Sequence, residues 1–388
     1  ELTLTGENAY SKFGQVKEGT LVIGAPAAMA GSNDYQVSDK ATLRIDATDE
    51  LVTGDEVFVD NGGVLDVDSA LDVTLLSNSG QSMLDEALDV SSYLDNSATG
   101  RVDANAEVTA RNLKNDGRWN VLSSQTLTLD GLDGDAATGL TGEGTFCLET
   151  AGPDANACNG LAESDAVGAT SLTLNQAGDS VFDGTFEGLG TLVKSGEGTL
   201  TLTNAQTFLG GLTVNEGAIF AEHSDPNAGD LFADSLNITV NAEGRLDLET
   251  QDTFGSFTNF GIVNVNADQT VVSAQTKGGT TNLDANITTT GAFVVEDHEG
   301  SDGVVNINGD HTVTADGGLS GDGDLMIADD QTFTMSQKAG TISTFRGNVV
   351  SNEDPNTSRF AFTGGGQLVL AGSEDQVSVS FLDIVDGR

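Results

Sequence analysis

Apolar and polar residues alternate over short runs through most of the chain, as at Leu172 and Leu174 or across Val304–Ile307. A period of two sends every second side chain to one face of a strand. Each run lasts three to six residues and ends at a Gly or Asn, the residues that accept positive φ in a tight turn. Three stretches break this rhythm. In Met83–Leu94, MLDEALDVSSYL, Leu84 and Leu88 stand at helical spacing, and a short helix is expected. Glu149–Gly168 alternates little and holds Pro153 and Cys158, so a loop standing off the body is expected. His223–Asp234 reads as another such loop.

The runs recur as degenerate repeats. Leu2–Val22 and Leu200–Phe220 align without a gap at an offset of 200 − 2 = 198 residues. Both open on LTLT, whose leucines (Leu2 and Leu4, Leu200 and Leu202) are expected to face inward at equivalent places, then place an aromatic (Tyr10, Phe208), a valine (Val16, Val214), Glu-Gly (Glu18-Gly19, Glu216-Gly217) and an apolar pair. Leu113–Val121 and Phe257–Val265 share apolar-x-Asn-x-Gly-x-x-Asn-Val. Glycine turns feed strands at Gly142–Leu148, Gly188–Val193 and Gly321–Ile327. A coil this short cannot bury a core alone, so coils stack and share one. The expected fold is all-β, a right-handed parallel β-helix (β-solenoid) over 1–388 as a single unit, with loop or helical excursions near 83–94, 149–168 and 223–234. Coils of about 20 residues would number roughly 19 and form a rod on the order of 90 Å.

Composition sharpens this. Forty-nine Gly against 4 Pro suits many tight turns and not a disordered chain. Fifteen Lys+Arg against 60 Asp+Glu give a net charge of −45. That field repels nucleic acid and anionic membranes and favours solubility and cations. No apolar stretch is long enough for a spanning helix, so no membrane insertion is expected. Cys147 and Cys158 fit neither a redox CxxC nor a zinc site. A small disulfide loop in an oxidising compartment is expected, worth about 2–3 kcal/mol on the chain-entropy model.

The string Gly188–Ala221, GLGTLVKSGEGTLTLTNAQTFLGGLTVNEGAIFA, resembles the passenger-associated repeat of bacterial autotransporters. Gly188, Gly190, Leu192, Lys194, Gly196, Gly198, Thr199, Leu200, Leu202, Phe208, Gly210, Gly211, Thr213, Val214 and Gly217 match its pattern. Gln206 stands where Asn is usual, and Ile219 where Leu is usual. Leu2–Gly24 carries the second half of the same repeat, with Lys12 and Phe13 in place of the paired glycines. The resemblance implies export through the periplasm and outer membrane to the bacterial surface, by way of a C-terminal translocator barrel. Nothing in VSVSFLDIVDGR resembles that barrel, and the chain opens in mid-pattern at Glu1, so a longer precursor is expected. Closely spaced cysteines suit threading through a narrow pore.

Candidate chemistry is sparse. Gly178-Asp179-Ser180-Val181 lacks the Gly-Ser that completes a protease nucleophile motif, and no GxSxG elbow occurs. His223, His298 and His311 all lie in polar, turn-like stretches, whereas a triad needs a positioned histidine. No enzyme is expected and no resident cofactor. Ca²⁺ is the remaining metal candidate, with Glu296, Asp297, Glu299 and Asp302 as candidate ligands, because oxygen-rich loops suit it. Two further acidic runs lie at Asp130–Asp135 and Asp322–Asp330. Trp119 is the only Trp; Phe254, Phe257 and Phe260 read as a core stack within one coil, and 5% aromatics argues against a groove lined with rings. The expected function is a surface adhesin of virulence or biofilm type. Its partner would be itself on neighbouring cells, or a host glycan or matrix protein, bound through multivalent polar contacts. The alternatives are a solenoid-borne enzyme and a passive stalk.

Overall fold

The computed structural model describes residues 1–5, 13–25, 34–46, 55–130, 139–148, 170–225, 229–351, 357–371, 377–379 and 381–385. Every regular element among them is a strand, and the strands stack in parallel as a β-solenoid of about 16 turns with no helix. Fewer turns form than a uniform coil of about 20 residues implies. The steps are uneven: Gln125 pairs with Leu172, 172 − 125 = 47 residues on, across segments 131–138 and 149–169 that lie outside the described residues. The chain divides into two compact units, Glu1–Gly210 and Gly211–Arg388.

In Glu1–Gly210 the coils present three strand columns. One runs from Leu2–Leu4 through Val64–Val67, Gln81–Leu84, Arg101–Ala104 and Arg118–Val121 to Thr207–Phe208. Its register is unbroken, so like stacks on like: Ile45, Val67, Leu84, Ala104 and Val121 form one inward file. The next file passes from Leu43 and Leu65 through Ser82 and Val102 to Trp119, Phe146 and Phe186. There the aliphatic core becomes aromatic, with centroids 5.6 Å apart for Trp119–Phe146 and 5.1 Å for Phe146–Phe186. Offset-stacked rings add to the burial of their own area.

The other two columns are made by strands that bend. Leu71–Asn78 and Val108–Asn115 each point four residues inward at positions i, i+2, i+5 and i+7. The parity breaks where the strand turns from one face to the next. The last inward residue is asparagine: Asn78 Nδ2 donates to Asn96 Oδ1 at 2.9 Å, and Asn96 Nδ2 to Asn115 Oδ1 at 2.7 Å. The same amides donate across the corner to the carbonyls of Arg101 and Arg118. Glycines stack beside this ladder. A Cβ on Gly117 would lie 2.3 Å from Gly100 O, and one on Gly144 2.3 Å from Gly117 O. The corner closes only without side chains there.

The structure corrects two expectations here. Met83–Leu94 forms no helix. Leu84 ends the strand Gln81–Leu84 and Leu88 opens Leu88–Asn96, with exposed Asp85, Glu86 and Ala87 as the corner between two faces. Their spacing of four reflects a three-residue corner rather than a helical turn. Leu2 and Leu4 do not match Leu200 and Leu202: Leu2 is 60% exposed, whereas Leu200 and Leu202 are fully buried. The strand Leu2–Leu4 pairs with Gly19–Ile23, whereas Thr199–Leu202 pairs with Ser180–Phe182.

Gly211–Arg388 repeats the three-column design. Ile262–Val265, Thr280–Leu283, Val304–Ile307, Asp324–Ile327 and Asn348–Ser351 make one column. A second runs from Gln269–Lys277 through Ile287–Thr289, His311–Ala315 and Thr332–Gln337 to Arg359–Gly364. Val265, Leu283, Ile307 and Ile327 stack inward in register.

Candidate functional site

The outward positions of each unit carry polar files at strand spacing. In Gly211–Arg388 the residues Thr253, Thr270, Thr288, Thr314, Ser336 and Thr363 are successive register partners, so six hydroxyls line one file. Thr270 and Thr288 are exposed and the rest half-buried. A parallel file is built from amides. Arg245 Nε donates to Asp247 Oδ1 at 2.9 Å, Asn264 Nδ2 donates to the same oxygen, Asn282 Nδ2 donates to Asn264 Oδ1 at 2.7 Å and Asn306 Nδ2 to Asn282 Oδ1 at 2.8 Å. In Glu1–Gly210 the same chemistry recurs: Arg101 Nε donates to Asp103, and Asn120 Nδ2 to Asp103 Oδ1 at 2.6 Å. Thr109, Thr128 and Asn175 form one outward polar file of that unit, and Thr126 pairs with Thr173 in the next.

Acidic residues also stack. Asp89 is the register partner of Asp72, and burial, then Asp72 and Asp130, push its carboxyl above the usual range. Arg44 sits among Asp46 (2.5 Å), Asp68 (2.9 Å) and Asp66 (4.0 Å). Asp66, Asp68 and Asp85 bring their carboxylates within 4.8 Å of one another. Burial, and then Asp68, raise the Asp66 carboxyl. Among the described residues this is the trio at metal-ligand distance. The Ca²⁺ candidates read from the sequence are spread out instead. Glu296 Oε1 lies 2.9 Å from Lys277 Nζ, Asp297 Oδ1 accepts Gly303 N at 3.1 Å, and Glu299 and Asp302 point outward as exposed residues.

An open cleft of about 330 Å³ occupies one corner of Gly211–Arg388, lined by Asn241, Phe260, Lys277, His298, Glu299 and Ser301 among others. Successive corners in this column are short: residues 260–261 and then 278–279 join consecutive strands, but 297–303 join Phe293–Glu296 to Val304–Ile307. The longer corner folds back. His298 and Ser301 exchange two backbone hydrogen bonds of 2.9 Å, and Glu299 (φ 51°) and Gly300 (φ 86°) make the reversal between them. His298 then lies against Gly278, where a Cβ would meet His298 Cβ at 3.1 Å. Its ring reaches Phe260, centroids 5.0 Å apart and tilted 55°. The Phe254–Phe257–Phe260 stack expected from the sequence is thereby corrected. Phe254 and Phe257 are buried together, but Phe260 leaves the core for this corner.

Residues 229–237 are anchored on the core, and 226–228 lie outside the described residues. Leu231 and Phe232 are buried, and Phe232 packs edge-on to Phe254 at 6.1 Å. Asp252, 2% exposed, holds them: Oδ2 accepts Phe232 N at 3.0 Å and Oδ1 accepts Thr253 N at 2.8 Å. Burial pushes its carboxyl up to about 7, against the backbone hydrogen bonds that favour the anion.

The remaining sequence candidates fall as follows. Ser180 is 8% exposed and accepts Gln176 Nε2 at 2.8 Å. Trp119 is 1% exposed. Cys147 is buried and disulfide-bonded, while Cys158 and the loop Glu149–Gly168 lie outside the described residues. Of the acidic run Asp130–Asp135 only Asp130 is described. Within Asp322–Asp330, Asp322 Oδ1 accepts Asp297 N at 3.2 Å.

The family model of the passenger-associated-transport-repeat matches residues 1–23 and 192–219. Repeat and solenoid together fit an autotransporter passenger domain. No curated protein and no solved structure matches the chain. The repeat implies secretion of the passenger to the cell surface or extracellular space. It also gives Lys194 a structural setting. Lys194 follows Leu174 in the inward file, is fully buried, and its Nζ donates to the carbonyls of Ser195 (2.9 Å) and Gly196 (2.7 Å). A buried ammonium needs such acceptors, and it ties the strand to the glycine turn that follows.

Proposed function

We propose that the passenger is a surface adhesin, joining bacterial cells to one another or to host glycans and matrix proteins, after export through the periplasm and outer membrane. The observation that carries this is the hydroxyl file Thr253–Thr270–Thr288–Thr314–Ser336–Thr363. Its rungs repeat at about 4.8 Å, each able to donate and accept one weak hydrogen bond. Tethered together, such contacts gain avidity without any strong single site. A reading as a binding surface rather than a catalyst is supported by Ser180, whose hydroxyl is buried against Gln176 within its own coil.

The test is display of the passenger on non-adherent cells, scoring clumping and attachment to host-cell glycans and matrix separately. At least one score should rise over undisplayed cells. Replacing Thr270 and Thr288 by Val, which keeps shape and removes the hydroxyls, should lower it. If display raises neither score, the adhesin reading fails.

A further inference from the structure

The geometry points to the corner cleft of Gly211–Arg388 as a binding site for one neutral saccharide unit, a site that rests on the reading of the passenger as a glycan-binding adhesin. The cleft exists because one corner is longer than its neighbours and folds back over them, held by the close approach of His298 to Gly278. That fold sets the rings of Phe260 and His298 5.0 Å apart at the surface, Phe260 half-buried and His298 exposed. A sugar ring has an apolar C–H face and a rim of hydroxyls, so it asks for one ring surface with polar groups of both kinds around it. Here the polar groups are the Asn241 amide, the Ser301 hydroxyl, the Lys277 ammonium and the Glu299 carboxylate.

Charge decides the class of ligand. Lys277 is paired with Glu296 at 2.9 Å, and Glu299 is 86% exposed on its side chain. An anion would meet Glu299 and the field of a chain at −45. A cation would meet Lys277. A neutral polyol meets neither repulsion, and each of its hydroxyls both donates and accepts, which uses the ammonium and the carboxylate alike. The volume of about 330 Å³ lies at the low end for small-ligand sites, suited to a single ring. Two rings do not make a stacked groove, so the low aromatic content noted above is no obstacle. Affinity for an isolated unit is expected to be millimolar, with avidity supplied by many displayed copies.

The test uses the imidazole Hε1 resonances of the whole chain, since it has only three histidines. His298→Gln assigns its signal. Methyl α-mannopyranoside, methyl β-galactopyranoside and methyl N-acetyl-β-glucosaminide are titrated to millimolar levels. At least one should shift His298 saturably and leave His223 and His311 in place. Phe260→Ala should abolish that shift; Ser301→Ala, which leaves the ring pair untouched, should weaken binding severalfold. The inference is overturned if no glycoside gives a saturable shift, if all three histidines move alike, or if N-acetyl-lysine methylamide shifts His298 as strongly as the glycosides. Displayed passenger that clumps or attaches while the glycosides fail would overturn the site and keep the adhesin; saturable glycoside binding without either cell phenotype would do the reverse.

Discussion

Replacing Asn96 by Ala removes the middle rung of the buried asparagine ladder. Asn96 is fully buried and takes part in three side-chain hydrogen bonds: it accepts from Asn78 Nδ2 at 2.9 Å and donates to Asn115 Oδ1 at 2.7 Å and Arg118 O at 3.2 Å. Each such bond contributes about 1 kcal/mol net, and a buried partner left unmatched costs about 1–3 kcal/mol. Asn78 Nδ2 keeps its bond to Arg101 O at 3.0 Å, so the larger penalty falls on Asn115 Oδ1. A loss of about 3–4 kcal/mol follows. Asn105→Ala is the control. Its amide donates to Asp85 Oδ1 at 2.5 Å but is exposed, and a surface change of that kind stays within about 0.5 kcal/mol. The assay is guanidinium denaturation followed by the emission of Trp119, the sole tryptophan, 1% exposed and next in register to Val102. In a solenoid each coil reports chiefly on its neighbours, so the probe reads the ladder's own coils. If both variants shift the Trp119 midpoint equally, or Asn96→Ala leaves it unmoved, the ladder does not hold the coils together as argued.

Three further outcomes are expected. The Asp252 carboxyl, raised from 3.8 to about 7, stabilises residues 229–237 when protonated; that stability is complete below the unfolded value and is lost as pH rises through about 7. Amide exchange at Leu231 and Phe232 should therefore slow on acidification, and Asp252→Asn should remove most of the pH dependence; exchange that is fastest in acid after correction for intrinsic rates would contradict this. Gly144→Ala should unfold the neighbouring coils at markedly lower denaturant, again by Trp119 emission, because the new Cβ would lie 2.3 Å from Gly117 O. Clumping of displayed cells should strengthen as monovalent salt rises from low levels, and further with Ca²⁺, since like charge at −45 is screened first; clumping that falls steadily with salt and ignores a chelator would instead indicate salt bridges to a basic partner.

Lys114, Arg118 and Lys277 are examples of the few basic residues that could meet a second copy's carboxylates, yet each is engaged within its own unit. Lys114 pairs with Asp116, Arg118 Nε donates to Asn120 Oδ1 at 2.9 Å, and Lys277 lies 2.9 Å from Glu296. New ion pairs between copies would have to break these, and exposed pairs contribute little in exchange.

The solenoid was legible because its two ingredients are local. Alternation gives strands, and Asn or Gly at the end of each run gives the corner; both are visible in LDVTLLSN and VTARNLKN. What alternation alone does not reveal is the bend inside a strand, which consumes one residue and reverses the parity. That is why Phe254 and Phe257, three apart, both face inward: the register skips Gly255, whose Cβ would lie 2.6 Å from Leu236 O. Phe260 then follows inward-facing Asn259 and falls on the corner. Once the i, i+2, i+5, i+7 rule is applied, its departure from the core is readable from sequence. The contact of Phe260 with His298 is not, because it joins residues 298 − 260 = 38 apart through the fold-back of a single long corner.

That corner also shows where such a fold can acquire function. Ile262 pairs with Thr280 at a step of 280 − 262 = 18, and Thr280 with Val304 at 304 − 280 = 24, yet the file continues in register through Asp324 and Asn348. Most of the difference is the corner 297–303, longer by five residues than the two-residue corners at 260–261 and 278–279. The inward residues Val305 and Ile307 are fully buried despite it. A longer corner therefore leaves the core and its ladders intact, since the neighbouring strands fix the register on both sides. Faces and two-residue corners are constrained rung by rung by stacked hydroxyls, amides and glycines; the residues that lengthen a corner are not. Specific recognition is most readily built at the corners, with the uniform faces supplying the weak, repeated contacts on either side.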